Sequence, residues 1–221
     1  MDLTLDYPED DQYWLSIFQN KVMKPQSWVE VALTLINSMK FLRAPAIAFF
    51  KSAMYTEVGS KLAVEQRVHG VYMMLAAYAL ENVLKAIIVG KKATDFGSAV
   101  HAIPSAIKTH DLKALAKSAD VKVTDAGTEL LARLAHYAVW AARYPAPIGV
   151  AALKPQPIPG NATNTLSFLR GSDIRAIDEI LVYCFNKLGA KHGFDIANSG
   201  YTQEPEPWER LVMHENITPW Q

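Results

Sequence analysis

A chain of 221 residues suits one sizeable domain with appendages, or two small ones, and is long enough to bury a real core. Half of its residues are hydrophobic and a fifth charged, an ordinary composition for a soluble globular protein. Its 22 basic residues equal its 22 acidic ones, so no overall field favours polyanions and any nucleic-acid affinity must come from a local patch.

Residues 1–24 open with MDLTLDYPEDDQYW, which is acidic and lacks the basic and apolar regions of a secretory signal. They read as an N-terminal extension of a cytoplasmic protein. In SWVE, Ser27 and Glu30 form a capping-box pattern, with the serine oxygen placed to accept from the third helical amide and the glutamate to reach back. Trp28, Ala32, Leu35, Ile36, Met39 and Leu42 then recur at helical spacing, predicting a first main helix over 28–43. Pro45 is expected to stop or kink it, with AIAFFKSAMYTE continuing as a second piece that turns Ile47, Phe50 and Met54 inward.

Gly59 and Ser60 read as a turn and N-cap for the next helix, over 60–90, and Gly90 as its C-terminal cap. This segment, SKLAVEQRVHGVYMMLAAYALENVLKAIIVG, is apolar on nearly every side, as the central helix of an all-α core is. Its longest uncharged run, 70–80, is far short of the roughly 20 residues that span a bilayer, so no membrane is expected. Yet it carries Glu81, Asn82 and Lys85. Glu81 and Lys85 are four apart and meet on one face, and burying both costs several kcal/mol each unless they find partners. They read either as a structural ion pair or, with Tyr78 and Asn82, as a polar site beside a cleft.

KKATDFGSAVHAIP is a loop, followed by a short helical stretch from Pro104 into HDLKALAKSAD, where His110 stands as a cap or N-terminal partner. Thr124 is placed to cap a long helix lined on one side by Leu130, Leu131, Leu134, Tyr137, Ala138 and Ala141. On its other side Glu129, Arg133, His136, Trp140 and Arg143 form a polar stripe that faces solvent, a partner or a site. Pro145 closes that helix, and 145–164 is too rich in proline and small residues for anything but a long surface loop. Ser172 and Asp173 open the last helix, with Ile174, Ile177, Leu181, Cys184 and Leu188 on one face. From 193 onward periodicity fades, but Trp208 and Trp220 imply that the tail docks on its own domain or on a second subunit. The expected fold is all-α: an antiparallel bundle of four to six helices over 25–192, with an irregular C-terminal tail over 193–221.

Several chemistries leave no trace. The single cysteine excludes an internal disulfide and a thiolate zinc cage, and on an apolar helical face it is inert packing. The six histidines are scattered with no HExxH spacing, so neither a metal nor a cofactor is expected. GxSxG, GxGxxG and P-loop patterns are absent. Arg133 and His136, three apart, could pair a guanidinium with an imidazole for RNA cleavage, although such a stripe is more often a solvated face.

AYALENVLKAIIV, then THDLKALA, then a helix ending in WAARYP together resemble the pattern of HEPN-type domains. There a helix carrying Glu and Lys in an apolar frame is followed by a histidine-led helix and another long helix. The resemblance covers roughly residues 25–190. It implies an α-helical bundle, homodimerisation and a nucleotide- or RNA-binding groove near Glu81, Lys85, His110 and Arg143; many such domains are metal-independent ribonucleases of toxin, antiphage or RNA-processing systems. Catalytic members carry an arginine followed, after four to six residues, by a histidine. Here Arg67 precedes His69 by two and Arg133 precedes His136 by three, so the resemblance does not carry ribonuclease activity across. The favoured expectation is a non-enzymatic binding module for a nucleotide, nucleic acid or partner protein. The alternatives are a divergent endoribonuclease using His110, His136, Arg133 and Arg143, and a purely structural homodimer.

Overall fold

A computed structural model describes residues 11–53, 62–92, 101–141, 157–158, 161–165 and 172–192, apart from the side chains at several helix ends. Six α-helices run through them: α1 (Asp11–Val22), α2 (Pro25–Ala53), α3 (Leu62–Lys92), α4 (Leu112–Ser118), α5 (Asp125–His136) and α6 (Asp173–His192). The all-α bundle is therefore as the apolar periodicity indicates.

At its centre is α3, which touches α2, α4, α5 and α6. Tyr72, Met73, Leu80, Val83, Leu84, Ile87 and Ile88 are all buried, as an all-round apolar helix requires. By length and composition alone Val68–Lys92 could cross a membrane, but 72% of its most apolar 18-residue window is buried within the structure.

Three boundaries differ from the sequence reading. The second helix begins at Pro25 rather than after Ser27, because proline at the first helical position has no N–H to leave unpaired. It then continues through Pro45 to Ala53 as one helix. Pro45 is exposed and Phe41, four residues earlier, is 84% exposed, so the carbonyl deprived of its amide lies on the wet side. Gly90 does not end α3, which runs on to Lys92 and sends the Lys91 ammonium to the Ala119 carbonyl at 2.7 Å. The segment 1–24 also contains a packed helix, since α1 lies against α2 and the Trp28 indole donates to the Val22 carbonyl at 2.9 Å.

Local signals were better guides at the other ends. Thr124 caps α5 by accepting from the Gly127 amide at 3.2 Å, and α6 opens at Asp173. A 3-10 turn at Ser105–Ile107 precedes α4, and α5 passes into a π-helical turn at Tyr137–Ala141. Within the expected loop 145–164, β1 (Pro157–Ile158) pairs antiparallel with β2 (Asn161–Thr165). Gly59, Ser60, Met54, Arg143 and the tail with Trp208 and Trp220 lie outside the described residues.

Candidate functional site

Helical spacing puts Glu81 and Lys85 one turn apart on α3, with Lys85 Nζ donating to Glu81 Oε1 at 2.6 Å. Both are buried, at 5% and 6% exposure. Opposite them His110 brings its Nδ1 to 2.9 Å from Glu81 Oε2 and 3.1 Å from Oε1. The neighbouring Asp111 anchors the histidine in that position. Its carboxylate caps α4 by accepting from the Lys113 and Ala114 amides, while its own amide donates to Thr109 Oγ1. Lys85 Nζ also lies 5.3 Å from the centre of the Trp28 ring, a cation–π contact with α2.

One buried carboxylate thus joins a buried ammonium and an imidazole whose side chain is 68% exposed. With Nδ1 as the protonated nitrogen, it donates to Glu81 and leaves Nε2 as an acceptor directed away from the carboxylate. As an acceptor Nε2 takes a hydrogen bond or a proton, and donation to a phosphate oxygen requires the imidazolium, in which Nε2 also carries a proton.

Tyr78 and Asn82 do different work. The Tyr78 hydroxyl donates to the Ala138 carbonyl in the π turn at 2.9 Å, and the Asn82 amide donates to the Tyr78 carbonyl of its own helix at 2.7 Å. Both bonds are structural. The structure brings Glu81, Lys85 and His110 together; Arg143, expected near them, lies outside the described residues.

Of the polar stripe on α5, the described side chains Glu129, Arg133 and His136 do not stand in open solvent. Arg133 is 1% exposed, with Nη2 at 2.5 Å from Asp173 Oδ1 and Nη1 at 3.8 Å from Glu129. Its guanidinium is spent inside the protein, where Nε and Nη1 make no hydrogen bond. His136 is half-buried and edge-on to Tyr137, with ring centres 6.1 Å apart, and burial lowers its pKa. Spacing shows which residues share a face but not that the first residue of α6 supplies a carboxylate opposite. Among the described residues no group of three or more His, Cys, Asp or Glu could hold a metal ion. Cys184 is buried and its thiol is pushed up to about 12 by that burial, which makes it packing.

A basic concavity went unread in the sequence. Lys113, Lys117 and Lys122, together with Asp120, line a hollow of about 310 Å³ that runs along α4 to the turn that follows it. Asp120 adopts a left-handed conformation with φ of 55°. Its carboxylate draws in Lys91 at 3.6 Å and Lys187 at 3.4 Å, and Lys187 also donates to its carbonyl. These lysines are split between three helices and a turn, so only the fold collects them. No family profile, curated protein or solved structure matches this chain.

Proposed function

We propose that this chain is a HEPN-like helical binding module that recognises the phosphate groups of a nucleotide or RNA, without catalysing a reaction. The observation that carries the reading is the Glu81–Lys85–His110 cluster. Placing a carboxylate and an ammonium inside an apolar helix is costly, and apolar residues of the same volume would often serve stability as well or better. The pair instead holds an exposed imidazole in one orientation. The short helix α4, which begins two residues after His110, carries Lys113 and Lys117 on the rim of the basic hollow, which supplies a cationic surface in a chain of zero net charge.

The test is fluorescence anisotropy of a labelled single-stranded RNA at low salt in EDTA. Wild type should bind with a dissociation constant on the order of 1–100 µM, weakening steeply with salt. His110→Ala should weaken binding about fivefold or more with little change in melting temperature, because the ring is mostly solvated. Absence of binding, or equal binding by the variant, would overturn the proposal.

One feature favours a second reading, a divergent metal-independent endoribonuclease. Nδ1 anchored on a carboxylate with Nε2 turned outward is an arrangement suited to proton transfer. Arg133, committed to Asp173, would have no part in it. Cleavage of the same RNA in EDTA that disappears in His110→Ala would replace the binding module with this enzyme.

A further inference from the structure

The hollow along α4 carries three lysines that the rest of the fold leaves unanswered. Among the described residues no hydrogen bond or ion pair occupies the ammonium of Lys113, Lys117 or Lys122. Of the residues lining the hollow, Asp120 alone bears a carboxylate. It is already engaged by Lys187 of α6 and Lys91 of α3, neither of which lines the hollow. Asp125, exposed at the start of α5, stands outside the lining.

Local preference does not account for these positions. Lys113 is in the first turn of α4, where the positive end of a helix disfavours a cation. Lys117 follows four residues later, so two like charges share one face and repel. The left-handed turn at Asp120 then brings Lys122 onto the same wall. An anion held among the three turns that repulsion into attraction. Ala116, Val121 and Leu131, all buried, form the apolar part of the lining, which lowers the local dielectric and strengthens the attraction.

What the lining lacks narrows the ligand. It has no aromatic ring to stack on a base, no guanidinium to grip a planar carboxylate and no side-chain amide to read a base edge. Lysine ammoniums are point charges on flexible stems, and they respond to density of charge more than to its geometry. Three of them around about 310 Å³ match an anion whose charges are crowded together. Successive phosphates of a nucleic-acid strand carry one charge each and are set apart by sugars. Directly linked phosphates place several charges on adjacent groups, and a terminal phosphate alone carries about −1.5 to −2.

We propose that this hollow binds a compact polyphosphate, a run of directly linked phosphate groups such as a free triphosphate or the 5′-triphosphate end of an RNA. The inference rests on the phosphate-binding reading above and narrows it to one kind of phosphate, held by Lys113, Lys117 and Lys122.

Calorimetric titration of the full chain with sodium tripolyphosphate, in EDTA at low salt, tests it. Wild type should bind one equivalent with a dissociation constant on the order of 10–100 µM, and inorganic phosphate about tenfold more weakly or less. Lys117→Ala and Lys122→Ala should each lose about threefold to tenfold in affinity, and the double variant nearly all of it. Their melting temperatures should equal or exceed that of wild type, because both side chains are exposed and like charges are removed. Lys21→Ala, at an exposed position of α1, should bind as wild type does, which separates the hollow from a mere change of net charge. Two RNAs of one sequence then identify the source. A preference of about tenfold for a 5′-triphosphate over a 5′-hydroxyl end, absent in the double variant, assigns the hollow to an RNA end. Tripolyphosphate binding without that preference assigns it to a free polyphosphate or nucleotide. No tripolyphosphate binding at about 1 mM, or undiminished binding in the double variant, would overturn the proposal. Equal affinity for tetraglutamate would overturn it as well and give the hollow to an acidic peptide. In any of these cases binding of the 5′-hydroxyl RNA would leave the phosphate-binding reading standing alone, and its absence would remove both.

Discussion

His69 has no exposure to solvent and stands edge-on to Tyr137, their ring centres 6.3 Å apart; lost hydration takes its imidazole down to about 4. In the unfolded chain the same ring titrates near its ordinary value of about 6.5. Between those values the unfolded state holds more protons, so His69 contributes stability that is fully present above about pH 6.5 and is lost as pH falls towards 4. Urea unfolding should therefore show a loss of about 2 kcal/mol between about pH 7.5 and 5 from this residue. His69→Leu should remove most of that slope. An unchanged slope would move the acid sensitivity to His136, whose pKa burial also lowers. Sequence alone does not separate these histidines from His110. The Glu81–Lys85 contact was legible because a four-residue interval on a helix fixes it. The nearness of His110 rested on resemblance, since nothing local links residues on different helices.

Between helices, Arg133 on α5 is paired with Asp173 at the start of α6, a contact expected to be sensitive to substitution. Both side chains are almost fully buried, at 2% and 3% exposure, and two nitrogens of the guanidinium have no hydrogen bond. Arg133→Met takes a buried charge partner from Asp173 and should cost about 3–5 kcal/mol in chemical denaturation. The double variant Arg133→Met, Asp173→Leu should recover most of the loss, and a double variant as unstable as the single would show that the pair itself stabilises the fold. Helix ends were readable where a side chain caps its own backbone, as at Thr124. They were less legible where solvent decides, as at Pro45, which was expected to stop or kink the helix and does not stop it, its exposed position letting water take the place of the missing bond. What the α5 stripe faces, whether solvent, a partner or a site, stayed open because periodicity does not say what lies opposite.

For the molecule as a whole, the outer faces of α1 and α2 carry apolar groups that the bundle does not cover. Tyr13 and Trp14 meet edge-to-face at 5.2 Å and are 45% and 41% exposed, and on α2 Val31 is 49% and Phe41 84% exposed. Self-association through α2 would withdraw this surface from water, and cyclic dimers are the commonest soluble assembly. Sedimentation at micromolar concentration should give a dimer for wild type and a larger monomer fraction for Phe41→Asp. A wild-type monomer, or a dimer indifferent to Phe41→Asp, would remove α2 as the contact. Composition and three long apolar periods made the bundle legible. The Arg43–Asp178 pairing, across 135 positions, had no signal short of the fold.

Enclosure of α3 on all its sides restricts how a sequence with this architecture can change length. One residue inserted after His69 would turn everything beyond it by about 100° and advance it about 1.5 Å, carrying Glu81 from His110 and Lys85 from Trp28 together. The stretch Thr109–Asp111, which seats His110 against Glu81 and caps α4, bears the same restriction. Related sequences are therefore expected to keep the count from His69 to Lys85 and from His110 to the start of α4 constant, a rule of spacing by which distant relatives could be aligned when few side chains agree.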